Sequence, residues 1–109
     1  MAESEIKVML VDDHAVVRAG YRMLLEMQDG YRVVCEVETG EAAIAAYEKV
    51  QPDVVIMDLN LPGGSGIEAT RKILILDPNA KILIFSIHAE AIYLSRAIEA
   101  GALGYLCKS

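Results

Sequence analysis

The sequence predicts an α/β fold: a doubly wound, five-stranded parallel sheet in the order 2-1-3-4-5, with helices on its faces. Three observations predict it. Short apolar runs alternate with stretches of helical periodicity along the whole chain. The third and fourth runs are continuously apolar, which implies burial on both faces and so a parallel sheet between helices. The 109 residues suffice for one compact domain and not for two, and 54% of them are hydrophobic, so a packed core is expected rather than disorder. Crossovers of this length are right-handed, and five such strands take the doubly wound order.

The elements follow one by one. The first run, Ile6-Lys7-Val8-Met9-Leu10-Val11, stops at Asp12-Asp13. A helix is predicted over about 14–27, with Val17, Tyr21, Leu24 and Leu25 at i, i+4, i+7 and i+8. The second run, 32–38, mixes charge with apolar residues, as an exposed edge strand does. Thr39 is a good N-cap for the Ala-rich helix that runs to about residue 50. The third run is Asp53-Val54-Val55-Ile56-Met57-Asp58. A loop with Pro62, Gly63 and Gly64 then leads into Ser65-Gly66-Ile67-Glu68, a capping box that starts a helix. That helix ends near residue 76, before the Asp77-Pro78-Asn79 turn. The fourth run is Lys81-Ile82-Leu83-Ile84-Phe85-Ser86. A helix over about 89–100 stops at Gly101, and residues 103–107 form the last strand.

Composition excludes several classes of function. The formal charge of −6 repels a phosphate backbone, so this segment is a poor nucleic-acid binder by itself. No apolar run approaches the ~18 residues of a membrane span. The start, Met1-Ala2-Glu3-Ser4-Glu5, is the opposite of a secretory n-region, so a cytoplasmic protein without membrane contact is expected. Cys35 and Cys107 fit no metal spacing. In the predicted order they lie on opposite edges, four spacings of ~4.8 Å apart, too far for a disulfide. They read as core or edge residues in a reducing compartment.

In an open parallel sheet, ligands bind beyond the carboxyl ends of the strands, where strand order reverses. Here the first strand ends in Asp12-Asp13, the third in Asp58, the fourth in Ser86, and the fifth just before Lys108. Three carboxylates, a hydroxyl and an ammonium are therefore expected in one crevice. Carboxylates at close range repel, so such a site raises a pKa or holds a cation. Hard oxygen ligands suit Mg²⁺, which keeps several waters and shares phosphate oxygens. A carboxylate beside it is a potential nucleophile toward phosphorus, with Lys108 and Ser86 placed to meet the phosphoryl oxygens.

The residues form a pattern. Asp12-Asp13 is an acidic pair after the first strand. Asp58-Leu59-Asn60-Leu61-Pro62-Gly63-Gly64-Ser65-Gly66 fits D-x-x-M/L-P-x-x-x-G after the third. Ser86 ends the fourth strand, and Tyr105 precedes Lys108 by three residues. In these residues, over nearly all its length, the chain resembles the receiver domain of a bacterial two-component response regulator. The resemblance implies a flavodoxin-like fold in which Asp58 accepts a phosphoryl group from a sensor histidine kinase, in a reaction that needs Mg²⁺. It implies Asp12, Asp13, Asp58 and the backbone carbonyl of Asn60 as metal ligands, Lys108 and Ser86 as catalytic groups, and Ser86 and Tyr105 as the switch. Such a domain catalyses its own phosphotransfer and dephosphorylation rather than acting as an enzyme on a separate substrate. Asp12-Asp13-His14 with Val17-Arg18-Ala19-Gly20, Ser86-Ile87-His88 and residues 97–106 resemble the NarL/FixJ subclass, whose output is a LuxR-type helix-turn-helix. Homodimerisation on phosphorylation is then expected, and DNA contact only through an output domain outside this chain.

Two departures stand out. Gly64 replaces the Met or Leu more usual in receivers, which is expected to loosen the loop after Asp58. A fifth helix normally follows the lysine, so residues 1–109 read as a receiver truncated before that helix, with one sheet face covered only by the first helix. His14 and His88 form no pair at ligand spacing and receive no metal role, although His88 lies where the family tunes dephosphorylation. Met23, Met27 and Met57 read as packing residues. Gly64-Ser65-Gly66-Ile67-Glu68-Ala69 matches G-x-G-x-x-A but does not directly follow its strand, so it is no dinucleotide motif. Two alternatives remain. A phosphatase of the haloacid dehalogenase type needs a second acid two residues past the nucleophile, where Asn60 stands. A phosphorylation-independent interaction module typically lacks one of the acids or the lysine, all of which are present.

Overall fold

The computed structural model of the chain describes residues 5–86 and 90–107. In order along the chain are β1 (Ile6–Val11), α1 (Ala15–Glu26), β2 (Tyr31–Val37), α2 (Gly40–Val50), β3 (Val54–Asp58), α3 (Gly66–Leu76), β4 (Ile82–Ser86), α4 (Ala91–Ala100) and β5 (Gly104–Cys107). The five strands form one sheet, every pair parallel, in the order β2-β1-β3-β4-β5. This is the predicted order. Cys35 and Cys107 accordingly sit on opposite edge strands, neither of them in a disulfide. The expected start of the fourth helix at Ala89, and both Lys108 and His88, lie outside the described residues.

Two cores flank the sheet. The larger joins Met9, Val11, Val55, Met57, Ile82 and Ile84 to residues of α2, α3 and α4, among them Ala43, Tyr47, Ile67, Ile73 and Ala97. The smaller joins Val8, Leu10 and Val33 to Tyr21 and Leu25 of α1 and to Ile56. Tyr21 also meets Phe85 edge-on, ring centroids 5.4 Å apart. Burial on both faces of β3 and β4 is therefore only half met. Their residues toward the larger core are buried, while Val54, Ile56, Leu83 and Phe85 are half-buried. The physical reason is that, among the described residues, α1 alone packs over that side. It also explains why Leu24, expected on the packed stripe of the first helix, is 63% exposed.

Local capping follows the sequence at α2 and α4 and departs from it at α3. Thr39 Oγ1 accepts from Ala42 N at 3.0 Å, and Gly101 ends α4 at φ +105°, both as expected. Ser65 caps α3, but its hydroxyl accepts from Ile67 N rather than completing a capping box, and Glu68 pairs instead with Arg71. At α1 the cap position is held by His14, whose N–H donates to Asp12 Oδ1 at 2.8 Å. The loop after Asp58 takes regular structure. Asn60–Leu61 and Gly64–Ser65 pair as a two-stranded antiparallel ribbon, with Pro62 and Gly63 (φ +75°) at its tip and Leu59 and Leu61 buried. A Pro-Gly pair is what a tight turn with a positive φ at its second central residue asks for. Among the described residues no helix is long and apolar enough to cross a membrane.

Candidate functional site

Register brings the acids together. Val11 is the partner of Met57, so Asp12, just past β1, and Asp58, the last residue of β3, stand side by side at the carboxyl ends of the two central strands. That is where strand order reverses. Asp58 is itself the partner of Phe85, which puts Ser86 one position further along β4. Asp12, Asp58 and Ser86 are 3%, 7% and 1% exposed, so three polar side chains are held in a nearly dry place. Tyr105 is the partner of Ile84 and lies half-buried against the larger core, below the level of Ser86.

One ligand atom from each of Asp12, Asp13, His14 and Asp58 falls within 4.8 Å of the others. Two like charges at that spacing repel by about 3 kcal/mol at an effective dielectric of ~20. A cation relieves that repulsion. Asp13 Oδ1 adds a second sign of fit: it is buried without a hydrogen-bond partner among the described residues, although His14 Nδ1 is 3.2 Å away. An orphaned carboxylate oxygen among other carboxylate oxygens is the donor set that a hard divalent ion such as Mg²⁺ takes.

The backbone around these acids is tightly determined. Leu59 N donates to Phe85 O and Gly66 N to Leu59 O, tying the strand end to β4 and to the start of α3. Asn60 N lies 3.4 Å from Asp58 Oδ1. Gly66, which closes the D-x-x-L-P-x-x-x-G pattern, has no room for a Cβ: one would collide with the Asp58 carbonyl oxygen. On the other strand, the Arg18 guanidinium, 14% exposed, donates to the Asp12 carbonyl oxygen and to Glu36 Oε1 of β2. Arg22 reaches the same Glu36 at 2.9 Å. The acidic turn after β1 is thus clamped to the sheet edge.

Of the expected site residues, the structure gathers Asp12, Asp13 and Asp58, places Ser86 beside them, and puts exposed Asn60 at the base of the ribbon. Two residues of this environment were not assigned site roles from sequence. The sequence gives His14 no metal role, yet its ring nitrogen lies in the cluster. Arg18 stands out in the sequence only as part of a subclass pattern. The hint in the sequence was local, His14 adjoining the acidic pair and Arg18 one helical turn on, but the partner Glu36 needed the strand pairing.

Comparison with known proteins identifies the class. The family model described as the response regulator receiver domain matches residues 8–109, and the chain belongs to that family. It is 40% identical over 106 residues to the transcriptional regulatory protein DegU of Brevibacillus brevis, covering 97% of this chain and 45% of that one. It is 45% identical over 103 residues to the response regulator UvrY of Escherichia coli, covering 94% and 47%. Among solved structures, a LuxR-family two-component response regulator from an Aurantimonas species matches with a TM-score of 0.94 and 50% identity, covering 97% of this chain and 76% of that one. The relatives are thus of the NarL/LuxR type that the subclass residues implied, and the chain spans about half the length of the curated relatives it matches.

Proposed function

We propose that the chain is the phosphoryl-accepting switch of a response regulator, with Asp58 as the acceptor. The observation that supports this most directly is a nearly buried Asp58 carboxylate at the end of a central strand, within 4.8 Å of Asp12 and Asp13 ligand atoms. In this reading a sensor histidine kinase presents a phosphohistidine. An Asp58 carboxylate oxygen attacks phosphorus, the P–N bond breaks, and its electron pair returns to the imidazole of the kinase. Asp12, Asp13, Asp58 and the Asn60 carbonyl hold Mg²⁺, which when bound neutralises the carboxylates and the developing charge on the phosphoryl oxygens. Lys108 balances the transferred charge, and Ser86 donates a hydrogen bond to a phosphoryl oxygen. Attack of water on the acyl phosphate resets the domain, so the chain turns over its own phosphate and no separate substrate.

Ser86 and Tyr105 lie on neighbouring strands β4 and β5, and in this reading they report the phosphoryl group by shifting the balance of two packings of α4 and β5. Homodimerisation would follow. The intact protein would regulate transcription in the cytoplasm through a DNA-binding helix-turn-helix domain beyond residues 1–109.

The test is the intact mass after incubation with acetyl phosphate and Mg²⁺. A single phosphoryl adduct is expected on the wild type and none on Asp58→Asn, since an amide cannot form the acyl phosphate. An adduct that persists on folded Asp58→Asn protein would remove Asp58 from the role.

A further inference from the structure

Three polar residues of α1, Arg18, Arg22 and Glu26, recur at i, i+4 and i+8 and so share one flank of the helix. All three engage β2. Arg18 and Arg22 pair with Glu36, and Arg22 and Glu26 meet the backbone of Val33. Of these three described residues, Arg18 alone also reaches the acidic site, donating to the carbonyl oxygen of Asp12. That carbonyl belongs to the peptide that joins Asp12 to Asp13, so both carboxylates hang from the unit that Arg18 holds. On the other side of the Asp12 Cα, the N–H donates to Val37 O at 3.1 Å. The Asp12 backbone is thus tied to β2 on both sides, directly at Val37 and through Arg18 at Glu36. Arg18 is 14% exposed against 45% for Arg22, so its bonds are the less screened of the two.

We propose that Arg18, anchored by Glu36, is a positioning residue for the cation site: it presets the Asp12-Asp13 turn so that the two carboxylates meet Mg²⁺ without rearranging. The inference rests on the reading of Asp12, Asp13 and Asp58 as that site. A guanidinium suits the task because its planar fork donates in two directions at once, here to a carbonyl and to a carboxylate. Its charge alone would act in the opposite sense, since a fixed positive charge near the site repels an incoming Mg²⁺. Removing Arg18 therefore separates the two effects by sign. Lost positioning weakens Mg²⁺, whereas lost repulsion tightens it.

The experiment uses the intact protein. Mg²⁺ binding is followed by NMR titration, and acyl phosphate formation from acetyl phosphate is followed across Mg²⁺ concentrations. Arg18→Met keeps the apolar stem and removes the fork. It is expected to raise the Mg²⁺ dissociation constant roughly tenfold, as loss of a hydrogen-bond partner behind a metal ligand does, with the rate at saturating Mg²⁺ within about twofold of wild type. Arg18→Lys, which keeps the charge but not the fork, is expected to weaken Mg²⁺ as well, and it carries the test should methionine unfold the chain. Arg22→Met is the control: it also loses a bond to Glu36 but none to Asp12, and its Mg²⁺ affinity should match the wild type. Unchanged or tighter Mg²⁺ in both Arg18 variants, or an equal weakening in Arg22→Met, would overturn the positioning role and leave the carboxylate site standing. No Mg²⁺ binding by the wild type would overturn both.

Discussion

A side chain at residue 66 would collide with the carbonyl oxygen of Asp58 and approach Met57 Cγ to 3.0 Å. The first turn of α3 therefore lies directly on the backbone that carries the candidate acceptor. Gly66→Ala must push that turn or the strand end away, and overpacking of this kind costs about 1–3 kcal/mol. Urea denaturation is expected to show that loss, together with a reduced yield of acyl phosphate, because the Asp58 backbone moves with it. Gly64→Ala is the control: its Cβ meets nothing within 4 Å and no positive φ is required. Equal stability and phosphorylation in the two variants would show that the close approach is unimportant. Asp13 is the second informative residue, since its buried Oδ1 lacks a hydrogen-bond partner among the described residues. Mg²⁺ that keeps much of its water shell binds in the millimolar range, and Asp13→Ala is expected to weaken it clearly in an NMR titration. An unchanged affinity would take the metal role from Asp13.

At the scale of elements, α2 and α3 are joined by more than apolar packing. Tyr47 of α2 donates its hydroxyl to Asp77 Oδ2 at 2.7 Å, at the C-terminal cap of α3. Burial first, then the hydrogen bond to Asp77 and its charge, push the Tyr47 hydroxyl up to about 12. The folded chain thus holds the phenolic proton more tightly than the unfolded chain does. This contribution is fully present below the ordinary value of ~10 and is lost as pH rises through about 12. Tyr47→Phe is expected to cost about 1 kcal/mol, equally near pH ~6 and ~9. Denaturation at both pH values checks it, and a cost that is absent or changes between them would overturn the assignment. These elements also show what sequence makes legible. The runs ending at Asp12, Asp58 and Ser86 were visible because apolar periodicity marks strands and acids mark where burial stops. Their adjacency followed from the rule for strand order. The ribbon Asn60–Leu61 with Gly64–Ser65 was not visible, because two-residue strands carry no periodicity. Neither was the Arg18–Glu36 clamp, which depends on which flank of α1 faces β2. The place of His14 in the cluster is hard to read from sequence, because ligand spacing is counted between histidines and here the neighbours are carboxylates.

Across the whole molecule the two faces of the sheet are unequal. Three helices cover one, and among the described residues α1 alone covers the other. Arg18 and Arg22 turn one flank of α1 toward Glu36 on β2. Helical geometry then places Val16, Met23, Leu24 and Met27, which are 63–85% exposed, on the opposite flank, toward the central strands. Leu106 of β5 and half-buried Ile56 and Phe85 complete an apolar surface on that side. A further helix of ~12 residues laid there would cover several such side chains, each worth about 1.5–3 kcal/mol when fully buried. Against a total stability of ~5–15 kcal/mol this is a large share. A chain extended by about twenty residues that supply such a helix is therefore expected to melt several degrees higher than residues 1–109, since 1 kcal/mol moves the midpoint by roughly 4–8 °C in a domain of this size. The shorter chain is expected to self-associate through the bare flank, and Leu24→Glu should return it to a monomer without restoring its melting temperature. Thermal melts and sedimentation of the two chains test this together. Equal midpoints with a monomeric shorter chain would mean that α1 by itself closes this side of the sheet.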